Sequence, residues 1–422
     1  MSHRSPSKSK TGQFLDCERD GKRYKQDHET SMSNQPEHAA SSSFANYQWE
    51  IYNGTSAENL KVPFTFPDLE QRARAILSPG AFGYIAGGAG TEETVRANRE
   101  AFGHWRIVPR MLRNVARRDL RTNVLGTEMS APVMLAPVGA LSIAHSEAEM
   151  AVARAAASLD LPMVLSTASS YCIEEIARTA GSSPRWFQLY WPKDRELARS
   201  LLQRAERSGY GAIVVTLDTW LLGWRPRDLT NSFLPFLRGE SLGNYFTDPV
   251  FCGALAKPPH EDLPAAVLHW ASIFSDPSAT WDDLKFLRDH TRLPLVLKGI
   301  LHPEDARRAA GMGIDGIIVS NHGGRQVDGA IGALDALPAV VGAAGKTAVL
   351  FDSGIRTGAD IFKALALGAK AVLIGRPYIY GLALAGEAGV RAVLRALLAE
   401  LDLTMALAGI ARLDELSPKT LL

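Results

Sequence analysis

The sequence predicts a (β/α)8 barrel, on three observations: eight short aliphatic runs, amphipathic stretches between them, and a polar, charged or glycine-flanked residue where each run ends. The runs are PVMLAPVG (132–139), PMVLSTAS (162–169), RWFQLY (185–190), AIVVTLD (212–218), PLVLKG (294–299), GIIVSNHG (316–323), AVLFDSG (348–354) and AVLIGR (371–376). Helical patterns lie between them at 146–160, 194–209, 302–312 and 357–367, and a long final one begins near Glu387. Strands that are aliphatic throughout, rather than in alternation, belong to a parallel sheet covered on both faces. Eight such units at a spacing of roughly 25–30 residues suit a closed barrel better than a doubly wound sheet.

Ahead of the first run the chain reads as a helical segment. Pro67 and Asp68 open a helix from Phe66 to about Leu77, Ser78-Pro79-Gly80 stops it, and a second helix runs from Thr91 to about Phe102. Between them, 82–90 is too rich in glycine to be a good helix throughout and lets Tyr84 approach something closely. Residues 1–45 are polar and charged with few aliphatic side chains, so they read as a disordered tail before a barrel domain at 46–422. One interval breaks the rhythm: roughly 75 residues separate the fourth and fifth runs, and a structureless insertion of that size is normally functional. We expect a lid at about 229–280.

Composition excludes several classes. A net charge of +1 gives no electrostatic case for nucleic acid or an anionic membrane. No apolar run reaches the roughly 18–20 residues that span a bilayer. Cys17, Cys172 and Cys252 lie far apart without metal-ligand spacing, so neither a disulfide framework nor a metal site is expected. The tail has no apolar core of a signal peptide, and the C-terminal Lys-Thr-Leu-Leu is no peroxisomal address, which makes the cytoplasm the expected location.

In barrels of this kind chemistry sits where the strands end. Here those ends carry Gly139, Ser166, Gln188, Tyr190, Thr216, Asp218, Lys298, His322, Asp352 and Arg376. The richest is IIVSNHGGRQVDG (317–329), in which an aliphatic strand empties into a loop bearing His322 and Arg325. Histidine titrates near neutrality, and arginine is a forked cation suited to a carboxylate. In DSGIRTGAD (352–360), Gly354, Arg356 and Gly358 converge on a helix start, and Gly375-Arg376 adds a second glycine–arginine pair. Loops after strands seven and eight are the usual phosphate site of the fold. There is no GxGxxG opening the first unit and no Walker motif, so a mononucleotide lying across the barrel mouth fits better than a dinucleotide. Gln188 and Thr216 would address its ring edge, and Lys298 a position that becomes anionic.

SNHGGRQ, LDTWLLGWRPRDL, LFDSGIRTGAD and IGRP together closely resemble the FMN-dependent L-2-hydroxy-acid oxidising family, over roughly 47–415. The inserted RPRDLTNSFLPFLRGESLGNYFTDPVF is most similar to its lactate 2-monooxygenase branch. The resemblance implies FMN as cofactor, a small 2-hydroxy acid and O2 as reactants, and a homotetramer or homo-octamer. It implies His322 as base steadied by Asp218, Tyr190 approaching the substrate hydroxyl, and Tyr84, Arg225 and Arg325 on its carboxylate. For the flavin it implies Pro137, Val138 and Gly139 at the ring edge, Ser166, Gln188, Thr216, Lys298 and Ser320 around the ring, and Asp352, Gly354, Arg356, Gly375 and Arg376 on ribityl and phosphate. Ala168 stands where plant-type glycolate oxidase has tryptophan, and Gly139 where many relatives have alanine. The expected reaction is oxidation of lactate with decarboxylation of the bound keto acid. Its rivals are an oxidase releasing keto acid and hydrogen peroxide, a dehydrogenase serving a quinone or cytochrome, and a phosphate-ligand-binding barrel without redox chemistry.

Overall fold

In the computed structural model, which describes residues 43–56 and 62–422, eight parallel strands close into the barrel that the sequence predicts. A short antiparallel hairpin comes first, β1 (Thr122–Val124) and β2 (Thr127–Met129). The barrel strands are β3 (Val133–Leu135), β4 (Met163–Ser166), β5 (Arg185–Leu189), β6 (Ile213–Thr216), β7 (Leu295–Ile300), β8 (Gly316–Val319), β9 (Ala348–Phe351) and β10 (Val372–Ile374). Each pairs with the next, and β10 closes the ring on β3 with Leu373 opposite Met134.

The strands are buried throughout, yet their side chains sort into two cores. Met134, Val164, Trp186, Val214, Val296, Ile318, Leu350 and Leu373, one from each strand, form a core of their own. Their neighbours, such as Leu165, Phe187, Val215 and Phe351, pack in a second core that also holds the surrounding helices. Successive strand residues point to opposite faces, so the first set fills the barrel axis and the second meets the helices. Val124 and Met129 of the hairpin join the axial core, and the Trp186 indole N–H donates to Thr127 Oγ1 at 2.8 Å, so β1 and β2 stopper the N-terminal end.

Two residues further along each strand, on the same inward face, come Ala136, Ser166, Gln188, Thr216, Lys298, Ser320, Asp352 and Gly375. The six polar ones are all buried. They face one another: Ser166 Oγ donates to Gln188 Oε1 at 3.0 Å, Lys298 Nζ donates to Ser320 Oγ at 3.0 Å, and Lys298 Nζ lies 3.3 Å from Asp352 Oδ2. A polar layer thus caps the aliphatic one at the C-terminal end of the barrel.

Several sequence expectations are corrected. Ser43 and Ala45, placed in the tail, are anchored instead: both donate to Asp402, a buried carboxylate that Arg118 also grips. Of the expected tail, residues 1–42 lie outside the described residues. The glycine-rich stretch 82–90 is helical only in part, as its composition implied: a helix at Pro79–Ala86 starts because Ser78 caps it by accepting from Ala81 N–H and Pro79 suits its first turn, and 87–90 lie outside it. The final helix begins at Arg376 and runs to Ala408, but Ala385 and Gly386 leave helical geometry, so a second segment does start at Glu387. The insertion after β6 is not structureless. It holds short helices at Pro226–Thr230, Gly243–Phe246, Pro249–Gly253 and Leu263–Ile273.

Phe351 couples barrel and N-terminal segment: it is fully buried and meets Phe102 edge-on, ring centres 6.1 Å apart. Phe351→Ala should destabilise the fold by about 3–5 kcal/mol, because the rigid surroundings close over such a void only in part. A lowered midpoint of urea unfolding measures it, and an unchanged one would show that the contact is dispensable.

Candidate active site

Past β8 the chain turns sharply, with His322, Gly323 and Gly324 all at positive φ (58°, 66° and 77°). For His322 this is strained backbone, held by its surroundings. Gly323 N–H donates to Ser353 Oγ at 3.0 Å, Gly324 N–H to Asn321 Oδ1 at 3.1 Å, and Asn321 forms a reciprocal amide pair with the buried Asn98 at 2.7 and 2.8 Å. The turn thereby aims the imidazole into the barrel mouth. His322 Nδ1 lies 2.7 Å from Asp218 Oδ1 and 3.1 Å from Thr219 Oγ1.

Burial lowers the His322 pKa below its ordinary 6.5 and Lys298 adds to that, while Asp218 pulls the other way without prevailing. The imidazole is therefore neutral at pH 7 and free to take a proton. Asp218 is buried, which opposes its ionisation, but His322 and Lys298 hold it down to about 2. It stands as a fixed negative charge behind the ring. Lys298 is likewise kept protonated against burial by Asp352 and Asp218.

Across the cleft from this pair are two arginines. Arg325 Nη1 donates to the carbonyls of Tyr84 and Gly87 at 2.5 and 2.7 Å, and its guanidinium sits 4.9 Å from the Tyr84 ring centre. Arg225 donates through Nε to the Arg325 carbonyl at 3.0 Å and through Nη2 to Gln326 Oε1 at 2.5 Å. Among the described residues neither pairs with a carboxylate. Burial, then repulsion from Arg325, pulls Arg225 down to about 10, which still leaves it charged at neutral pH. Asp228, half-buried nearby, attracts both without forming an ion pair with either, so the two confined cations remain an electrostatic demand for an anion.

The insertion roofs this space with aromatic rings. Tyr84 meets Phe236 at 6.2 Å, Phe236 meets Trp270 at 5.3 Å, Trp270 meets Phe274 at 5.0 Å, and Phe274 meets Tyr190 at 5.1 Å. Beneath lies a cleft of about 1120 Å³ including its open mouth, running from Tyr84, Tyr190, Arg225, His322 and Arg325 to Arg356 and Arg376. At that far end burial and mutual repulsion lower Arg356 to about 9, and burial and Arg325 lower Arg376 to about 10. At the near end Gly139 is required, since a Cβ there would lie 2.9 Å from the Ala168 Cβ and 3.0 Å from its carbonyl.

A family model described as FMN-dependent dehydrogenase matches residues 73–422, the whole of the barrel. The chain belongs to this family. It is 49% identical over 372 residues to the FMN-dependent alpha-hydroxy acid dehydrogenase qulF of Penicillium citrinum, covering 87% of this chain and 92% of that protein. To an L-lactate oxidase of Lysinibacillus sphaericus it is 47% identical, covering 85% and 92%. A crystal structure of mandelate oxidase superposes with a TM-score of 0.75 at 41% identity, covering 85% of this chain and 98% of that one. FMN is accordingly the cofactor, and the activity is FMN-dependent oxidation of 2-hydroxy acids. A barrel without redox chemistry is ruled out. The residues present fit the flavin: among the described residues Gln188 Nε2 and Arg356 Nε are buried donors with no hydrogen-bond partner, and neither Arg356 nor Arg376 forms an ion pair, Glu70 acting on both only from a distance.

Of the residues singled out from sequence, Tyr84, Pro137, Val138, Gly139, Tyr190, Arg225, Lys298, His322, Arg325, Asp352, Gly354, Arg356, Gly375 and Arg376 line the one cleft. Ser166, Gln188, Thr216 and Ser320 do not; they lie in the polar layer below it, and Asp218 reaches it through His322. Sequence reading missed Thr219, Phe236, Phe274 and Ser353. Thr219 directly follows Asp218, a signal that was available. Phe236 and Phe274 fall within the segment expected as a lid, 229–280, but carry no individual signal, because an irregular insertion has no period to place them.

Glu149 lies behind the loops that follow β3 and β4, fully buried, accepting from Ser170 N–H at 3.2 Å. Burial pushes its carboxyl up to about 7 from an ordinary 4.5, against the pull of that N–H. The folded protein therefore holds this proton more tightly than the unfolded chain, so the contribution favours folding below about 4.5 and is lost as pH rises through about 7. Glu149→Gln should remove that loss and gain on the parent by up to about 3 kcal/mol at pH 8, with little gain at pH 4.5. Urea unfolding at both pH values checks it; an equal effect at each would contradict the shift.

Proposed function

We propose that this enzyme takes a small L-2-hydroxy acid, lactate foremost, with dioxygen as electron acceptor, and retains the keto acid until it is decarboxylated. Lactate and O2 then give acetate, CO2 and water. The carrying observation is the pair of arginines without a carboxylate partner, set beside a neutral histidine and under an aromatic roof.

In this reading Arg225, Arg325 and Tyr84 hold the substrate carboxylate. Burial raises the pKa of both Tyr84 and Tyr190, so their hydroxyls stay protonated and donate. Tyr190 orients the C2 hydroxyl. His322 accepts the proton lost from the substrate, and Asp218 stabilises the imidazolium that results. Bound FMN would supply the two-electron redox chemistry between substrate and dioxygen. It would be held by backbone at Pro137–Gly139, by Ser166, Gln188, Thr216, Lys298 and Ser320 around the ring, and by Asp352, Gly354, Arg356, Gly375 and Arg376 at ribityl and phosphate. Lys298, kept cationic, would balance negative charge at the ring.

Retention of the keto acid rests on the same clamp, which still sees a carboxylate after oxidation, and on Phe236 and Phe274 narrowing the exit from the cleft. Hydrogen peroxide meeting the clamped keto acid adds to its C2 carbonyl; the C1–C2 bond then breaks, C1 leaves as CO2, and the O–O bond yields water. The lid assignment of 229–280, the lactate 2-monooxygenase likeness, a cytoplasmic location and assembly as a homotetramer or homo-octamer belong to this reading. A second reading, release of keto acid and peroxide, is favoured by the relative named L-lactate oxidase.

Aerobic turnover of L-lactate should yield acetate with little free peroxide; stoichiometric pyruvate and peroxide would sink decarboxylation in favour of the second reading. Separately, His322→Ala should keep bound FMN yet slow its anaerobic reduction by substrate by roughly 10²–10⁴-fold, the usual worth of a general base. Stopped-flow absorbance reads this, and rapid reduction in the variant would remove His322 from the mechanism.

A further inference from the structure

Gln326 occupies a joint that no role has yet been given. It lies one residue past Arg325, half-buried, and its amide is used on both sides. Nε2 donates to the carbonyl of Asp218 at 2.7 Å and to that of Leu221 at 2.8 Å. Oε1 accepts from Arg225 Nη2 at 2.5 Å and from Gly223 N–H at 3.4 Å. One side chain from the loop after β8 thus gathers four points of the loop after β6, spanning 218–225.

The backbones at this joint are in close contact as well. A Cβ on Gly223 would lie 2.5 Å from the Arg325 carbonyl and 2.8 Å from that of Gln326. Both are main-chain atoms with no freedom to step aside, so only glycine lets the loops seat. The Arg225 Nε bond to the Arg325 carbonyl completes the contact. Elsewhere segment 218–225 is tied by Asp218 and Thr219 to His322, by Ser275 Oγ donating to the Trp220 carbonyl at 2.6 Å and by Gly90 N–H donating to the Trp224 carbonyl at 2.9 Å. But Leu221, Leu222 and Trp224 are exposed, and no regular element begins until Pro226.

We propose that Gln326 is the positioning residue of the carboxylate site, the template on which 218–225 folds so that Arg225 faces the substrate beside Arg325. The amide suits the task because it offers donors to two carbonyls and an acceptor to a cation at once, and it carries no charge of its own. A carboxylate there would neutralise Arg225 and compete with the substrate, and an aliphatic side chain would leave the Asp218 and Leu221 carbonyls unpaired and the guanidinium free to turn. The proposal rests on Arg225 as a carboxylate ligand.

The test uses the FMN-loaded enzyme and oxalate, whose carboxylates mimic the C1 carboxylate and C2 oxygen of a 2-hydroxy acid, with binding followed by calorimetry rather than by turnover. Gln326→Leu should weaken oxalate and raise KM by a similar factor, roughly 10–100-fold, with a smaller fall in kcat and FMN content unchanged. Gly223→Ala disturbs the joint from the other side and should give the same split, and the double variant should lose less than the product of the two factors, since both break one contact. Arg225→Met is the control. Loss of oxalate binding there, with Gln326→Leu and Gly223→Ala both within about twofold of the parent, overturns the role of Gln326 alone. Unchanged binding in Arg225→Met overturns the underlying assignment of Arg225, and the proposal with it. A general loss of folding from Gln326→Leu leaves Gly223→Ala to decide by the same split.

Discussion

Closing eight parallel strands on themselves forces every second side chain of each strand onto one axis, and the working parts of this enzyme follow from that constraint. The axial positions must be apolar where they are packed on all sides, as Met134, Val164, Trp186 and their counterparts are. One pleat further on the same face opens toward the barrel mouth, and there the sequence changes to Ser166, Gln188, Thr216, Lys298, Ser320 and Asp352. Polar groups so placed cannot reach bulk water, so they satisfy one another or a ligand. Lys298 shows the balance: its charge survives burial because Asp352 and Asp218 flank it.

Above that layer, burial acts with opposite effect on acid and base partners. It drives the proton from His322 and keeps those of Tyr84 and Tyr190 in place, while among the described residues Arg225, Arg325, Arg356 and Arg376 stand at two ends of one cleft without an ion pair to a carboxylate. Each end favours an anion. Low dielectric makes that preference strong. The roof of Phe236, Trp270 and Phe274 maintains the low dielectric at the substrate end, which links the insertion to the electrostatics of the floor.

The elements most regular in sequence were legible without coordinates. Continuous aliphatic runs located all eight strands, and the motifs around His322, Arg325, Arg356 and Arg376 marked which end of the barrel carries chemistry. Elements set by local capping were legible only in outline: 82–90 is non-helical in part, as its glycines imply, but the helix at Pro79–Ala86 depends on Ser78 and Pro79 to start it. The insertion was misjudged in kind. Its helices are too short for periodicity to register, and they persist because Phe236, Tyr245 and Trp270 bury rings against one another and against the barrel.

What the sequence determined by itself was the fold, the cofactor class and the inventory of reactive groups, since strand patterning and motif chemistry are local properties of the chain. Tertiary structure alone decided how that inventory divides. It placed Ser166, Gln188, Thr216 and Ser320 beneath the cleft and fourteen other chosen residues along its wall, and it lowered the His322 pKa through burial that outweighs its carboxylate partner. It also brought into the site Thr219, Gln326 and Ser353, members of motifs that the sequence marked without giving these residues a role. Those outcomes depend on distances between segments a hundred residues apart, and proximity of that kind is fixed only when the barrel closes.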